Sequence, residues 1–160
     1  MFSAALRYAS LLAIAAWVGS LLFFGVVAYT AFTVLPSTHE AGLVVGGSLR
    51  HLHVMGLGCG IVLLLSFVIL GERGRPRAYA AEVLLTLAMI TLTAISQFGI
   101  MPAMERHRAA VAVIDSVPPT NPDRAAFDRL HVWSTWVEDG VLLCGLIVLG
   151  CVGLDTRRTS

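Results

Sequence analysis

The chain has 160 residues, of which 57% are hydrophobic and 13% charged, with a formal net charge of +1. Soluble domains carry about 45–50% apolar and about 25% charged residues, so this composition excludes an ordinary soluble domain, and near-neutrality offers no footing for nucleic acid or a polybasic lipid-binding patch. Four apolar stretches, each long enough to be a bilayer crossing, leave no room for a separate soluble unit. Residues 1–160 therefore read as a single transmembrane domain of the all-α class, an integral membrane four-helix bundle with the lipid bilayer as its first partner.

The first crossing is expected at approximately 5–35. Its charge-free run from Tyr8 to Pro36 exceeds a signal-peptide core of about 7–15 residues and reads as a retained helix. Pro36, followed by Ser37 and Thr38, ends it, because proline cannot donate the next helical hydrogen bond. The second crossing is expected at 50–70, ending at the charged turn GERGRPR, and the third at 79–101, closed by Pro102. An outer loop over approximately 103–127 contains the PPTNP cluster, with a short amphipathic helix at its start.

The fourth crossing, 130–154, has a charge-free run only from Gly140 to Leu154, shorter than the roughly 17–25 residues that span a bilayer. It must also include Val132 to Asp139. That places Glu138 and Asp139 within the membrane, with Trp133 and Trp136 at headgroup level.

Four crossings put both termini and the GERGRPR turn on one side. That side holds Arg7, Arg73, Arg75, Arg77, Arg157 and Arg158, against Arg50, Arg106, Arg108, Arg124 and Arg129 on the other. The basic bias sets both ends on the cytoplasmic side.

One end of the bundle then collects the polar groups. Asp128, His131, Thr135 and Glu138 follow helical spacing on the fourth crossing, Gln97, Met101 and Met104 on the third, and His51, Met55 and Cys59 on the second. Counting inward at about 1.5 Å per residue sets His53, His131 and Met101 at one shallow level, with Gln97 and Glu138 roughly 10 Å deeper.

Three chemistries suit such a polar funnel. Imidazole and thioether bind copper, and imidazole binds haem iron, so His53 and His131, aided by His51 and Met101, form a candidate metal site. His51 and His53 lie on opposite helix faces, and no HExxH or paired CxxC spacing exists. Alternatively Glu138, Asp139 and Gln97 orient a metal ligand by hydrogen bonding, carry protons or bind a cation on a small-solute or ion path. Glu138 paired with Arg50 or Arg106 would instead fix helix register.

The third reading is an accessory subunit, either a homo-oligomer or bound to a partner membrane protein. Here Gly56 and Gly60 form a GxxxG step that admits a neighbouring backbone. Cys59, Cys144 and Cys151 read as small apolar fillers, and Trp17 as a core or lipid-facing filler. An enzyme lacks support, because no nucleophile elbow or phosphate loop is present and no catalytic residue can be named.

The segments AAWVGSLLFFGVVAYTAF, ISQFGIMPAMERHR and AFDRLHVWSTWVEDGVLLCGLIVLG resemble the bacterial domain-of-unknown-function 4149 family, related to transmembrane protein 205. The most specific parts are Met101-Pro102 through Arg108 and the set Phe127, Leu130, His131 and Ser134. This resemblance spans nearly the whole chain and implies a multi-pass, four-helix protein of the bacterial inner membrane without a settled activity. More distantly, Trp17-Val18-Gly19 and the histidines at helix ends look like the copper-resistance D and membrane protoporphyrinogen oxidase groups. That similarity implies copper or haem as cofactor, but it carries no ligand across residue by residue.

Overall fold

The computed structural model describes residues 2–71, 76–111 and 113–157. The expected basic residues Arg73, Arg75 and Arg158 lie outside the described residues. Helix α1 is Phe2–Val34, α2 Thr38–Leu70 and α3 Pro76–Ile95; a π-helical turn, Ser96–Ile100, leads into α4, Met101–Val111, and α5 is Pro122–Arg157. Four helical segments are long and apolar enough to cross a membrane, the third being α3 and α4 taken together as Pro76–Val111. Each packs against the next around a ring, with α5 returning to α1.

Local chemistry marks the ends of these helices. At the α1–α2 link, Ser37 is extended and its hydroxyl accepts the Glu40 N–H at 3.1 Å, satisfying an otherwise orphan helix donor. Gly71 closes α2 with φ 66°, its N–H reaching back to the Phe67 carbonyl at 2.9 Å; only glycine takes that backbone state without steric cost. Asn121 starts α5, its side-chain oxygen accepting the N–H groups of Asp123 and Arg124 at 2.9 and 3.2 Å, with Pro122 at the first helical position.

Three boundaries depart from expectation, one of them the start of α5, which lies at Pro122 inside the loop expected over 103–127 rather than near 130. Helix α2 begins at Thr38 rather than near Arg50, because the Ser37 cap starts a helix that a hydropathy pattern does not register. Nor does Pro102 close the third crossing: the helix continues through it to Val111. The wider turn just before it, where the Met101 N–H bonds to the Ser96 carbonyl, shifts the carbonyls that a proline ring would strike in a regular α-helix. The short amphipathic helix expected after the third crossing is thus a continuation of it.

The outer surface is apolar, with Phe23, Tyr29, Val68 and Phe98 all strongly exposed. Such a surface suits lipid. Inside, the indole of Trp17 is fully buried among Ile14, Leu63, Met89 and Val141. A Cβ on Gly56 would lie 2.4 Å from Trp17 Nε1, and one on Gly60 would lie 2.5 Å from Ile90 Cγ1 and 3.0 Å from Trp17 Cζ3. The GxxxG step therefore forms a socket for an indole from α1 and an isoleucine from α3, and does not bring two bare backbones together. Trp17 is a core residue.

A second device holds the loop against the bundle. The Thr38 hydroxyl donates to Asp115 Oδ1, and the His39 N–H donates to Asp115 Oδ2 at 2.9 Å, placing a carboxylate at the positive end of α2. Arg124 donates to the Ile114 carbonyl at 2.7 Å and to Asp128 at 3.2 Å. The Thr38 hydrogen bond, with help from His39 and Arg124, holds the Asp115 carboxyl below the usual carboxylate range.

Two outcomes follow from this packing. Gly56→Ala should destabilise the detergent-solubilised protein by about 1–3 kcal/mol through overpacking, and adding Trp17→Leu should reduce that incremental cost, as read by a double-mutant cycle of denaturant unfolding. Because Asp115 has a depressed folded pKa, its stabilising contribution is fully present above the unfolded carboxylate range. It fades as pH falls below about 4. The difference in melting temperature between wild type and Asp115→Asn should therefore be largest at neutral pH and shrink on acidification.

Candidate functional site

Buried polar groups meet where α2, the π-helical turn and α5 come together. His53 is completely buried on α2. Its Nδ1 lies 2.9 Å from Gln97 Oε1 and its Nε2 lies 2.7 Å from Glu138 Oε1. The Ser96 hydroxyl donates to the same Glu138 oxygen at 3.1 Å. Glu138 is only 12% exposed, and its second oxygen, Oε2, is buried without a hydrogen-bond partner.

Each element has a local reason to deliver its residue. On α2, Leu49, Leu52, His53, Gly56, Gly60 and Leu63 are all buried, following the spacing of one helix face, so His53 points inward with the core. The π-helical turn inserts one extra residue per turn, and both of its site residues, Ser96 and Gln97, hydrogen-bond within this cluster. On α5, Ser134, Val141 and Val148 are buried, and Glu138 lies between the first two on that stripe.

The donor pattern constrains the protons. Gln97 Oε1 faces Nδ1, and in that orientation of the amide the ring carries a proton there and donates it. Between Nε2 and Oε1 at 2.7 Å there is then one further proton, because an imidazole nitrogen and a carboxylate oxygen both lacking hydrogen would repel. Either the imidazolium donates to a carboxylate or a carboxylic acid donates to a neutral ring. Both arrangements are neutral overall, which lowers the cost of keeping the pair inside a membrane.

Of the other expected residues, His51 is exposed and donates from Nδ1 to the Gly47 carbonyl at 2.9 Å. The opposite-face expectation for His51 and His53 holds. His131 is exposed on α5, its ring parallel to that of Phe127 with centroids 6.5 Å apart. Met101 is half-buried against the core, and Asp139 is exposed. Among the described residues no three His, Cys, Asp or Glu side chains are grouped as a metal site.

His53 does not sit above Gln97 and Glu138, as counting along the helices suggests; it bonds to both. Nor, among the described residues, is Glu138 bonded to an arginine. Its partners are His53 and Ser96. Counting assumed that the crossings begin together at the surface, whereas their actual register depends on packing.

Sequence reasoning missed Ser96, whose only signal was adjacency to Gln97. It also missed His107, which bonds to Asp123 at 2.8 Å, and Arg108, which lies 5.6 Å from the Phe127 ring centroid. These two contacts tie α4 to α5 just outside the site.

The family model described as a domain of unknown function (DUF4149) matches residues 12–112. That span includes Trp17, His53, Gly56, Gly60, Ser96 and Gln97, and ends before Glu138. No curated protein and no solved structure matches the chain.

Removing one partner of a buried pair strands the other. His53→Ala should cost about 3–5 kcal/mol of unfolding free energy, whereas His131→Ala, at an exposed ring, should change stability by less than about 0.5 kcal/mol. Denaturant titration of both variants in one detergent checks the contrast.

Proposed function

We propose, from the premise that this chain belongs to the DUF4149 family, that it is a proton-binding membrane protein whose His53–Glu138 pair takes up and releases one proton within the bundle. The observation that carries this reading is a fully buried imidazole held between an amide oxygen and a carboxylate at 2.9 and 2.7 Å. Intramembrane ionisable residues that face a bundle interior and pair with one another commonly belong to proton or ion paths.

Release of the proton has a structural consequence. With one ring proton left on Nδ1, bare Nε2 would face the carboxylate. Moving that proton to Nε2 restores the bond to Glu138, and Nδ1 then needs a donor. Gln97 supplies one by turning its amide so that the NH2 group faces the ring. Proton release is thereby coupled to rotation of Gln97, and Ser96 continues to donate to Glu138 in both states.

Copper or haem at His53, aided by His131, His51 and Met101, requires more rearrangement. Each ring nitrogen of His53 already has a hydrogen-bond partner, so a metal would displace Gln97 or Glu138. Proton binding displaces neither. The glycine face also gives little support to docking of a partner helix, because Trp17 and Ile90 of the same chain fill it.

In purified protein, infrared carboxyl absorption and 15N shifts of His53 should report one coupled change of protonation as pH is varied over the range in which the protein stays folded. Glu138→Gln should abolish the carboxyl change, and Gln97→Leu should displace the midpoint. A folded wild-type protein in which neither signal changes over that range would overturn the proposal.

A further inference from the structure

The inward face of α3 is polar where a membrane bundle would ordinarily be apolar. Its four buried side chains are Glu82, Thr86, Met89 and Thr93, and the buried Ser96 continues the same spacing into the π-helical turn. Steps of four, three, four and three residues keep this stripe on one helix face. Glu82 is 5% exposed, Thr86 and Ser96 are 0% exposed, and Thr93 is 1% exposed.

The two ends of the stripe differ. At one end Ser96 donates to Glu138, which bonds to His53. At the other is Glu82, a second buried carboxyl. The antiparallel pairing of His53 with Gln97 and of Gly60 with Ile90 sets the register of α2 against α3. By that register, the buried Ser66 lies level with the turn that follows Glu82. Trp17 against Gly56 and Gly60 sets α1 in the same way, bringing Arg7 and the buried Ser10 to this end. From Glu82 to Ser96 is about 21 Å at about 1.5 Å per residue, a large part of a hydrocarbon core of about 30 Å.

We propose that this face of α3 is a proton path through the bundle, running from the His53–Glu138 pair past Thr93 and Thr86 to Glu82, with Met89 as the plug that closes it. The proposal rests on the protonation of the pair described above and extends it to transfer across the membrane. A proton leaves the pair, passes through hydroxyl groups and water, and is taken up by the carboxylate of Glu82, which releases it at the other end. No electron moves, and the charge displaced is the proton's own.

Two features of the stripe fit transfer. Thr93 Oγ1 and Glu138 Oε2 are buried without hydrogen-bond partners, so the polar end has capacity for water that its own side chains do not use. Thr86 donates to the Glu82 carbonyl at 2.7 Å, leaving its oxygen able to accept a hydrogen bond from water on the path; it relays a proton when its own hydrogen turns from that carbonyl toward the next acceptor. Among the described residues, the charged and titratable groups placed along the route include His53 on α2, Glu138 on α5, and Glu82 on α3, with Tyr79 one turn away and Arg7 of α1 level with it.

Met89 interrupts this sequence. It is fully buried, and a Cβ placed on Gly145 would lie 2.8 Å from Val18 Cγ2 and 3.1 Å from the Met89 methyl carbon, so the valine and the thioether share the space that this glycine leaves. Thr86 and Thr93 are separated by about 10 Å along the helix, too far for direct transfer. Movement of the unbranched, flexible methionine side chain would admit the water that joins them.

The test is proton flux into proteoliposomes containing a trapped pH-sensitive dye, driven by a potassium diffusion potential set with valinomycin. Met89→Ser should raise flux at least tenfold over wild type, Met89→Leu should remain closed, and adding Glu82→Gln to Met89→Ser should return flux to the wild-type value. Met89→Thr, closer in volume, carries the same expectation if the serine variant does not fold.

Should a folded, open-plug variant retain the pH response of the His53–Glu138 pair but conduct no better than Met89→Leu, the path is overturned while the proton-binding reading stands. Absence of that response in wild type overturns both. Undiminished flux in the double variant with Glu82→Gln would remove Glu82 as the far terminus and overturn the route.

Discussion

The bond between His53 and Glu138 is the constraint around which the rest of the bundle is arranged. A carboxyl group in a lipid-surrounded interior has no bulk water to solvate it, so it must be neutralised or find its partners within the protein. Here the partners come from separate parts of the chain: an imidazole on α2, a hydroxyl and an amide on the π-helical turn, and the carboxyl on α5. Meeting that requirement sets the relative heights of three crossings.

Packing fixes the fourth element. The Trp17 indole fits into a socket that exists because Gly56 and Gly60 lack side chains, and Gly56 lies one helical turn from His53. The polar cluster and the aromatic contact are thus neighbours on α2. A shift of α1 that moved the indole would disturb the same turns that hold the imidazole. The acidic clamp at Asp115 acts from beyond the cluster, joining the loop between α4 and α5 to the first turn of α2.

Within this frame the polar face of α3 is the counterpart of the exposed apolar face of the same helix. Ile95 and Phe98 are exposed on the same crossing where Thr93 and Ser96 are buried. A helix that hides its hydroxyls and exposes its hydrocarbon is well suited to a membrane, but its buried polar atoms still need partners. Some are satisfied by the helix's own carbonyls, as Thr86 is by Glu82. Others depend on neighbouring helices, which is where the chemistry of the bundle resides.

Much of the architecture was legible in the residues themselves. Apolar length alone predicts four crossings, Pro36 with Ser37 marks the first link, and the short charge-free run after Gly140 requires that Glu138 lie within the fourth helix, as it does. That His51 and His53 take opposite faces follows from helical spacing, but which of them points inward does not: the expected polar stripe runs through His51 and Met55, and both are exposed. The legible features are local properties, governed by hydropathy, capping and the 3.6-residue turn. The partners of Glu138, the use of Gly56 and Gly60 as a socket for Trp17, and the passage of the helix through Pro102 were decided only in three dimensions. Each depends on the axial offset between helices far apart in sequence, and that offset is set by side-chain packing and buried hydrogen bonds, neither of which leaves a periodic signal in any one segment.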